Sequence, residues 1–268
     1  MFEHIDQIIA PDDYRLSIRR YEPEQPADHQ VVLLHGVVSH SAWLAPIGQR
    51  LAANGIRVIA PDRRGAGLNQ QGSGDAPSVT SLLEDVKAVV SNYQQNANST
   101  HFGGFCWGST YALNVLENCA HNFASFLMLA PAIFPADDIA DANLEIGNDQ
   151  LARCQPNVPI DRFTQGPAYS QVILPDSLRT RYVSPRFNRC MLEMNQMLAP
   201  RWAKIKLPTL MILASEDRLS NNEKHLRAWR HIKARPKLHM IVDSEHGVQF
   251  DAPDSTSSAI VDWIFKIR

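Results

Sequence analysis

Thr100-His101-Phe102-Gly103-Gly104-Phe105-Cys106-Trp107-Gly108-Ser109 runs from a strand-like segment through glycines into the start of a helix-like one. With a strand over 100–105 and a helix over 108–116, the chain must turn sharply at Gly104-Phe105-Cys106-Trp107-Gly108. That is the G-x-S-x-G corner with cysteine in place of serine. A residue held at such a corner takes strained backbone angles, and side chains two places before and after it would collide, so glycine is needed at both. The corner sets Cys106 at a helix N-terminus, where the macrodipole favours a thiolate. It also aims the Trp107 N–H at a carbonyl oxygen under attack. A lone cysteine in an apolar stretch is often an inert core residue, so its partners carry the argument.

Working outward, Val31-Val32-Leu33-Leu34 is a continuous aliphatic run ending at His35-Gly36, the pattern of a strand covered on both faces. Similar runs over 56–60, 126–130, 207–214 and 238–242 read as strands. Helical spacing occupies 43–54, which closes on Gly55, and also 80–93 and 255–267. Residues 14–21 alternate as an outer antiparallel strand would. The alternation predicts an α/β fold with a mostly parallel sheet flanked by helices. Its rhythm breaks over 134–201, expected to be a helical cap inserted into a core formed by 1–133 and 202–268.

Two further residues fall just past strand ends. Asp217 follows the 207–214 run in Ser215-Glu216-Asp217, with Glu216 as the second choice, and His246 follows the last strand in Glu245-His246-Gly247. A carboxylate and an imidazole beyond the C-terminal ends of parallel strands can converge on a nucleophile at the same sheet edge. Their order along the chain is that of a Ser…Asp…His triad. His35-Gly36-Val37 offers the Val37 N–H as a second oxyanion donor, with His35 bracing the loop. His4, His29 and His225 are expected in solvent.

Composition excludes other classes. The 268 residues are 44% hydrophobic and 20% charged with net charge −2, and carry neither a basic block nor a membrane-length apolar run. Nucleic acid and a membrane span are therefore not expected. Cys106, Cys119, Cys154 and Cys190 form no CxxC pair and no metal-ligand spacing. Met1 to Asp13 lacks a signal-peptide pattern, so a cytoplasmic, reducing setting is the expectation.

Taken together, His35-Gly36, the turn Pro61-Asp62-Arg63-Arg64-Gly65-Ala66-Gly67, the Cys106 corner, Asp217 and His246 resemble the α/β-hydrolase superfamily. The narrower likeness is to its capped lysophospholipase and monoacylglycerol-lipase-like group. The 62–67 turn is architectural in such proteins. Cysteine at the corner departs from that group and is similar to dienelactone hydrolases, polyhydroxyalkanoate synthases and some biosynthetic thioesterases or acyltransferases. Dehalogenases and epoxide hydrolases of this fold need Asp where Cys106 stands.

The resemblance implies a Cys106–His246–Asp217 triad with Val37 and Trp107 N–H groups as the oxyanion hole and no cofactor or metal. The implied substrate is a small acyl compound, carried on coenzyme A or a carrier protein, with Phe163, Tyr169, Met191 and Met194 of the cap lining the acyl pocket. Hydrolysis of oxygen esters or lactones, and ligand binding without catalysis, are the alternative expectations.

Overall fold

The computed structural model describes residues 1–93, 96–139, 156, 158–164, 166–196 and 204–267. Eight strands, β1 (Phe2–Ile9), β2 (Arg15–Glu22), β3 (His29–Leu34), β4 (Ile56–Pro61), β5 (Thr100–Phe105), β6 (Ser125–Leu129), β7 (Thr209–Ala214) and β8 (Pro236–Ile241), make one sheet in the order β1-β2-β4-β3-β5-β6-β7-β8. From β4 onward the pairings are parallel, whereas β1 and β2 run antiparallel. The helices are α1 (Ala45–Ala53), α2 (Val79–Tyr93), α3 (Trp107–Cys119), α4 (Pro185–Gln196), α5 (Asn222–Trp229), the single turn α6 (Val248–Asp251) and α7 (Pro253–Lys266).

Periodicity accounts for the layers. β5, β6 and β7 are buried at every position, as strands covered on both faces must be. Leu82, Val86 and Val89 fall at helical spacing on α2 and are buried. Each contributes about 1.5–3 kcal/mol of apolar burial. No helix among the described residues is long and apolar enough to cross a membrane.

Two sequence expectations need correction. β2 is not the outer strand, because β1 pairs with it along its whole length at the sheet edge. Most of β1 is exposed, with Phe2, Ile5 and Ile9 in solvent, so no one-sided hydrophobic period marks it. His225, expected in solvent, is fully buried instead. Its Nδ1 lies 2.9 Å from the Asn221 carbonyl, and its Nε2 accepts from the Phe134 N–H at 3.3 Å. Both ring nitrogens are thus satisfied by backbone, which makes the burial tolerable.

The strand order reverses between β3 and β5, and the crevice beyond their carboxyl ends is where ligands bind in open α/β sheets. Leu34 pairs with Gly104, so the two chains leave the sheet with Gly36 opposite Cys106.

Candidate active site

Cys106 has φ of +57° and ψ of −131° and caps α3. A β-carbon added at Gly104 would sit 2.1 Å from the Gly108 carbonyl, and one at Gly108 would sit 2.3 Å from the Leu34 oxygen. Both obstacles are backbone and cannot swing aside. Gly108→Ala should therefore lower stability by about 3 kcal/mol or more, at the upper end of single-residue effects. Chemical denaturation checks this, and an unchanged midpoint would refute the packing account.

Gly36 closes the site from the β3 side. A β-carbon there would lie 3.0 Å from Cys106 Cβ and 3.2 Å from its Sγ. Among the described residues neither the Val37 nor the Trp107 backbone N–H has an acceptor. The loop between them is braced by His35, whose Nε2 accepts from the Arg63 N–H at 2.9 Å. The ring proton therefore sits on Nδ1 and is donated to the Gly36 carbonyl at 2.8 Å. Arg63 also donates from Nη2 to the Val37 carbonyl at 3.1 Å, and its guanidinium stacks 4.1 Å from the Phe187 ring centre.

The structure brings Asp217 and His246 together. His246 Nδ1 lies 2.8 Å from Asp217 Oδ2, and both side chains are almost wholly buried. Asp217 Oδ1 accepts from the Leu219 and Ser220 N–H groups at 2.9 Å each, which fixes the carboxylate; the Glu216 side chain is exposed and accepts from its neighbour Ser215. His246 Nε2 is buried without a hydrogen bond of full geometry, but the Cys106 sulfur is near enough to act on the ring. Burial opposes charge on the imidazole, yet Asp217 and then Cys106 outweigh it and push the pKa up to about 10. Phe105 and Phe163 pack on the ring with centroids at 5.4 and 5.1 Å and keep water away.

The remaining described thiols are different. Cys119 donates to the Val115 carbonyl at 3.1 Å and burial pushes it up to about 11; burial also raises Cys190. Cys154 lies outside the described residues. Among the described residues no group of His, Cys, Asp and Glu could hold a metal ion.

A narrow cleft opens over Cys106 and Trp107, walled by Val37, Ile139, Met191 and Leu219 among others. Of the four cap residues expected in an acyl pocket, Met191 lines it and the others do not. Phe163 backs His246 instead, and Met194 is fully buried with its carbonyl toward Asn114. Tyr169 is half-buried, in a turn (Tyr169–Ile173) packed on the core. Sequence reasoning missed Asp176, whose Oδ2 accepts from Trp43 Nε1 at 2.6 Å and lies 2.8 Å from His40 Nε2. Nearby, the Thr180 N–H donates to the Val38 carbonyl at 3.0 Å, fastening the 134–201 stretch beside Val37. The Trp43-Leu44 run was read only as helix, and a contact spanning 133 residues has no periodic signature.

Buried histidines set the acid limit of the fold. Burial holds His35 and His101 down to about 3 and His225 to about 4. These rings are neutral when folded and take up protons when unfolded. Their stabilisation is complete above pH ~6.5 and is lost as pH falls through the window toward 4. Three such groups give a slope of up to about 4 kcal/mol per pH unit. His246, raised to about 10, acts oppositely. Its contribution is complete below pH ~6.5 and fades as pH rises toward its folded value. Thermal melts from pH 4 to 9 should peak near pH ~6.5 and fall more steeply on the acid side. A flat acid limb would contradict the neutral burial of these rings.

Comparisons with known proteins match the fold. The family model described as "Hydrolase_4: Serine aminopeptidase, S33" matches residues 25–253. An uncharacterized abhydrolase domain-containing protein of Dictyostelium discoideum is 25% identical over 228 residues, which are 82% of this chain and 24% of that protein. The chain thus spans about a quarter of that curated relative's length. Among solved structures, the Saccharomyces cerevisiae monoglyceride lipase, as a soluble variant with a substrate analogue, has a TM-score of 0.86 at 14% identity, covering 99% of this chain and 96% of that one. The Paleococcus ferrophilus monoacylglycerol lipase has a TM-score of 0.82 at 17% identity, with 94% and 99% covered. A thioesterase domain from the curacin biosynthetic pathway has a TM-score of 0.69 at 16% identity, with 99% and 100% covered. The sheet order, the strained corner at Cys106 and the match over most of the chain together make this protein a member of the Hydrolase_4 (serine aminopeptidase, S33) family and an α/β-hydrolase.

Proposed function

We propose that the protein transfers acyl groups from activated substrates, above all acyl-thioesters, through a covalent thioester on Cys106. The observation that carries this reading is the cysteine at the +57° corner beside a buried His246–Asp217 pair. Asp217 and Cys106 favour the protonated ring, so His246 Nε2 holds the thiol proton while Nδ1–H is directed to Asp217. Sγ attacks the carbonyl, and the oxyanion forms between the Val37 and Trp107 N–H groups, each worth about 3 kcal/mol in the transition state. The carbon–sulfur bond to the leaving group breaks, and the departing thiolate takes the proton from His246 and leaves as the thiol. Water, activated by the same ring, then hydrolyses the acyl-enzyme, or a second acceptor takes the acyl group.

The choice of thioesters rests on bond energies. A cysteine acyl-enzyme is itself a thioester, so it forms nearly isoenergetically from a thioester and uphill from an oxygen ester. A thiolate is also the better nucleophile at neutral pH. A second groove supports a carrier-bound or coenzyme A-bound substrate. It continues from the Pro156 and Val158 wall of the cleft and carries Arg179 and Arg181, cations suited to the phosphate of such an arm. The 134–201 stretch, as the inserted cap, supplies the α4 wall over the nucleophile and both arginines.

Released thiol and released alcohol, measured for octanoyl thioesters and matched oxygen esters, test the reading. Thioesters should have the higher kcat/KM. Preference for the oxygen esters would move the assignment to an ester hydrolase like the two monoacylglycerol and monoglyceride lipases. Binding without turnover of either would leave a ligand-binding protein.

A further inference from the structure

Arg63 and Arg64 are neighbours in one turn and both are buried, yet they are held in opposite ways. Arg64 is ion-paired on two sides, its Nε 2.6 Å from Asp85 and its Nη1 2.8 Å from Asp12, which ties the turn to α2 and to the β1–β2 connection. Among the described residues no carboxylate pairs with Arg63. Its guanidinium donates to backbone instead, from Nη2 to the Val37 carbonyl at 3.1 Å and from Nη1 to the Arg64 carbonyl at 3.2 Å. One face of it lies 4.1 Å from the centre of the Phe187 ring. Burial pulls its pKa down to about 10. Burying a cation with no carboxylate against it is costly, and Arg64 already anchors the turn.

What Arg63 holds is Val37. The Arg63 N–H donates to His35 Nε2 at 2.9 Å, and His35 Nδ1 donates to the Gly36 carbonyl at 2.8 Å. That carbonyl shares a trans peptide plane with the Val37 N–H, so the N–H points away from it. The guanidinium fixes the next plane through the Val37 carbonyl. On its other side Phe187 meets the Trp107 indole edge-on, with centroids 5.8 Å and planes 75° apart. Phe187 is fully buried near the start of α4, where its N–H donates to Ser184 Oγ at 3.0 Å, and the Ser184 N–H donates to the Gly74 carbonyl at 2.9 Å. A chain of contacts thus runs from Val37 through Arg63 and Phe187 to Trp107.

Resting on the acyl-transfer reading above, in which the Val37 and Trp107 N–H groups receive the oxyanion, we propose that Arg63 and Phe187 are positioning residues that set the spacing of those two donors from behind. Neither side chain lines the cleft, so neither meets the substrate. The cap enters the chemistry here, because Phe187 belongs to the 134–201 stretch. An intact thioester makes little use of the hole, whereas the tetrahedral oxyanion needs both donors in place. Loss of their spacing therefore falls on the transition state and spares substrate binding.

Arg63→Met keeps an apolar stem against Phe187 and removes the guanidinium. It should lower kcat for octanoyl thioesters by about 10²-fold with KM little changed, the scale of a misplacement of about 1 Å. Heptyl trifluoromethyl ketone supplies a second readout. Sγ of Cys106 adds to its carbonyl, no group leaves, and the oxygen stays in the hole as an anion. Its inhibition constant should weaken by the same factor as kcat/KM. Calorimetric affinity for the intact thioester, read on Cys106→Ala with and without Arg63→Met, should stay unchanged. Arg63→Lys keeps the charge without the planar fork and should lie between the two, and Phe187→Leu should show a smaller loss of the same kind. Should Arg63→Met fail to fold, these two variants carry the same comparison. Unchanged kcat in a folded Arg63 variant, or equal losses for the ketone and the intact thioester, would overturn the proposal while leaving acyl transfer standing. A parent protein with neither ketone adduct nor turnover would remove acyl transfer and this role together.

Discussion

Cys106→Ala should abolish turnover, lowering kcat by about 10⁴-fold or more, because loss of a covalent nucleophile leaves only binding and oxyanion stabilisation. The fold should survive. Cys106 is 5% exposed and the change removes one sulfur atom. Alanine must still adopt the +57° backbone that the corner imposes on cysteine. The melting temperature should stay within a few degrees, since a loss of about 1 kcal/mol moves Tm by only about 2–4 °C at this size. Cys106→Ser should retain the architecture and narrow the preference for thioesters, because the acyl-enzyme would then be an oxygen ester. Full activity in the alanine variant would remove Cys106 from the chemistry altogether.

Asp217→Asn should cost nearly as much, about 10⁴-fold in kcat. The reason is the hydrogen-bond inventory around the carboxylate. Leu219 and Ser220 N–H groups donate to Oδ1, so an asparagine must keep its oxygen there and turn its NH₂ toward His246 Nδ1. That ring nitrogen then has to accept, and the proton moves to Nε2, where it cannot take one from Cys106. The same substitution removes the main attraction raising the His246 pKa, which should fall well below about 10. Steady-state kinetics together with NMR titration of the ring checks both effects. A normal rate with a lowered pKa would separate the electrostatics of the pair from its catalytic use.

How much of this was legible in the sequence depended on the kind of interaction. β5, β6 and β7 are buried at every position, and their apolar runs stand out for that reason. The corner was legible because Gly104 and Gly108 both face backbone within 2.5 Å of where a side chain would go. Chain order then selected Asp217 and His246, which the fold brings to 2.8 Å.

β1 was invisible because it has no buried face. A helical cap was expected over this stretch, but in α4 the apolar face of Phe187, Cys190, Met191 and Met194 is interleaved with Arg186, Asn188, Arg189 and Glu193, which masked the helix's bounds. His225 was misjudged because the groups satisfying it, Asn221 and Phe134, do so through backbone atoms that no residue type reveals.

The central claim is that Cys106 carries the acyl group. Intact-mass spectrometry of the protein quenched seconds after mixing with an acyl-thioester tests it most directly, with Cys106→Ala in parallel. A mass increment of one acyl group, located on Cys106 and missing from the variant, is the predicted result. Turnover with no adduct on Cys106, proceeding equally well in the variant, would contradict it.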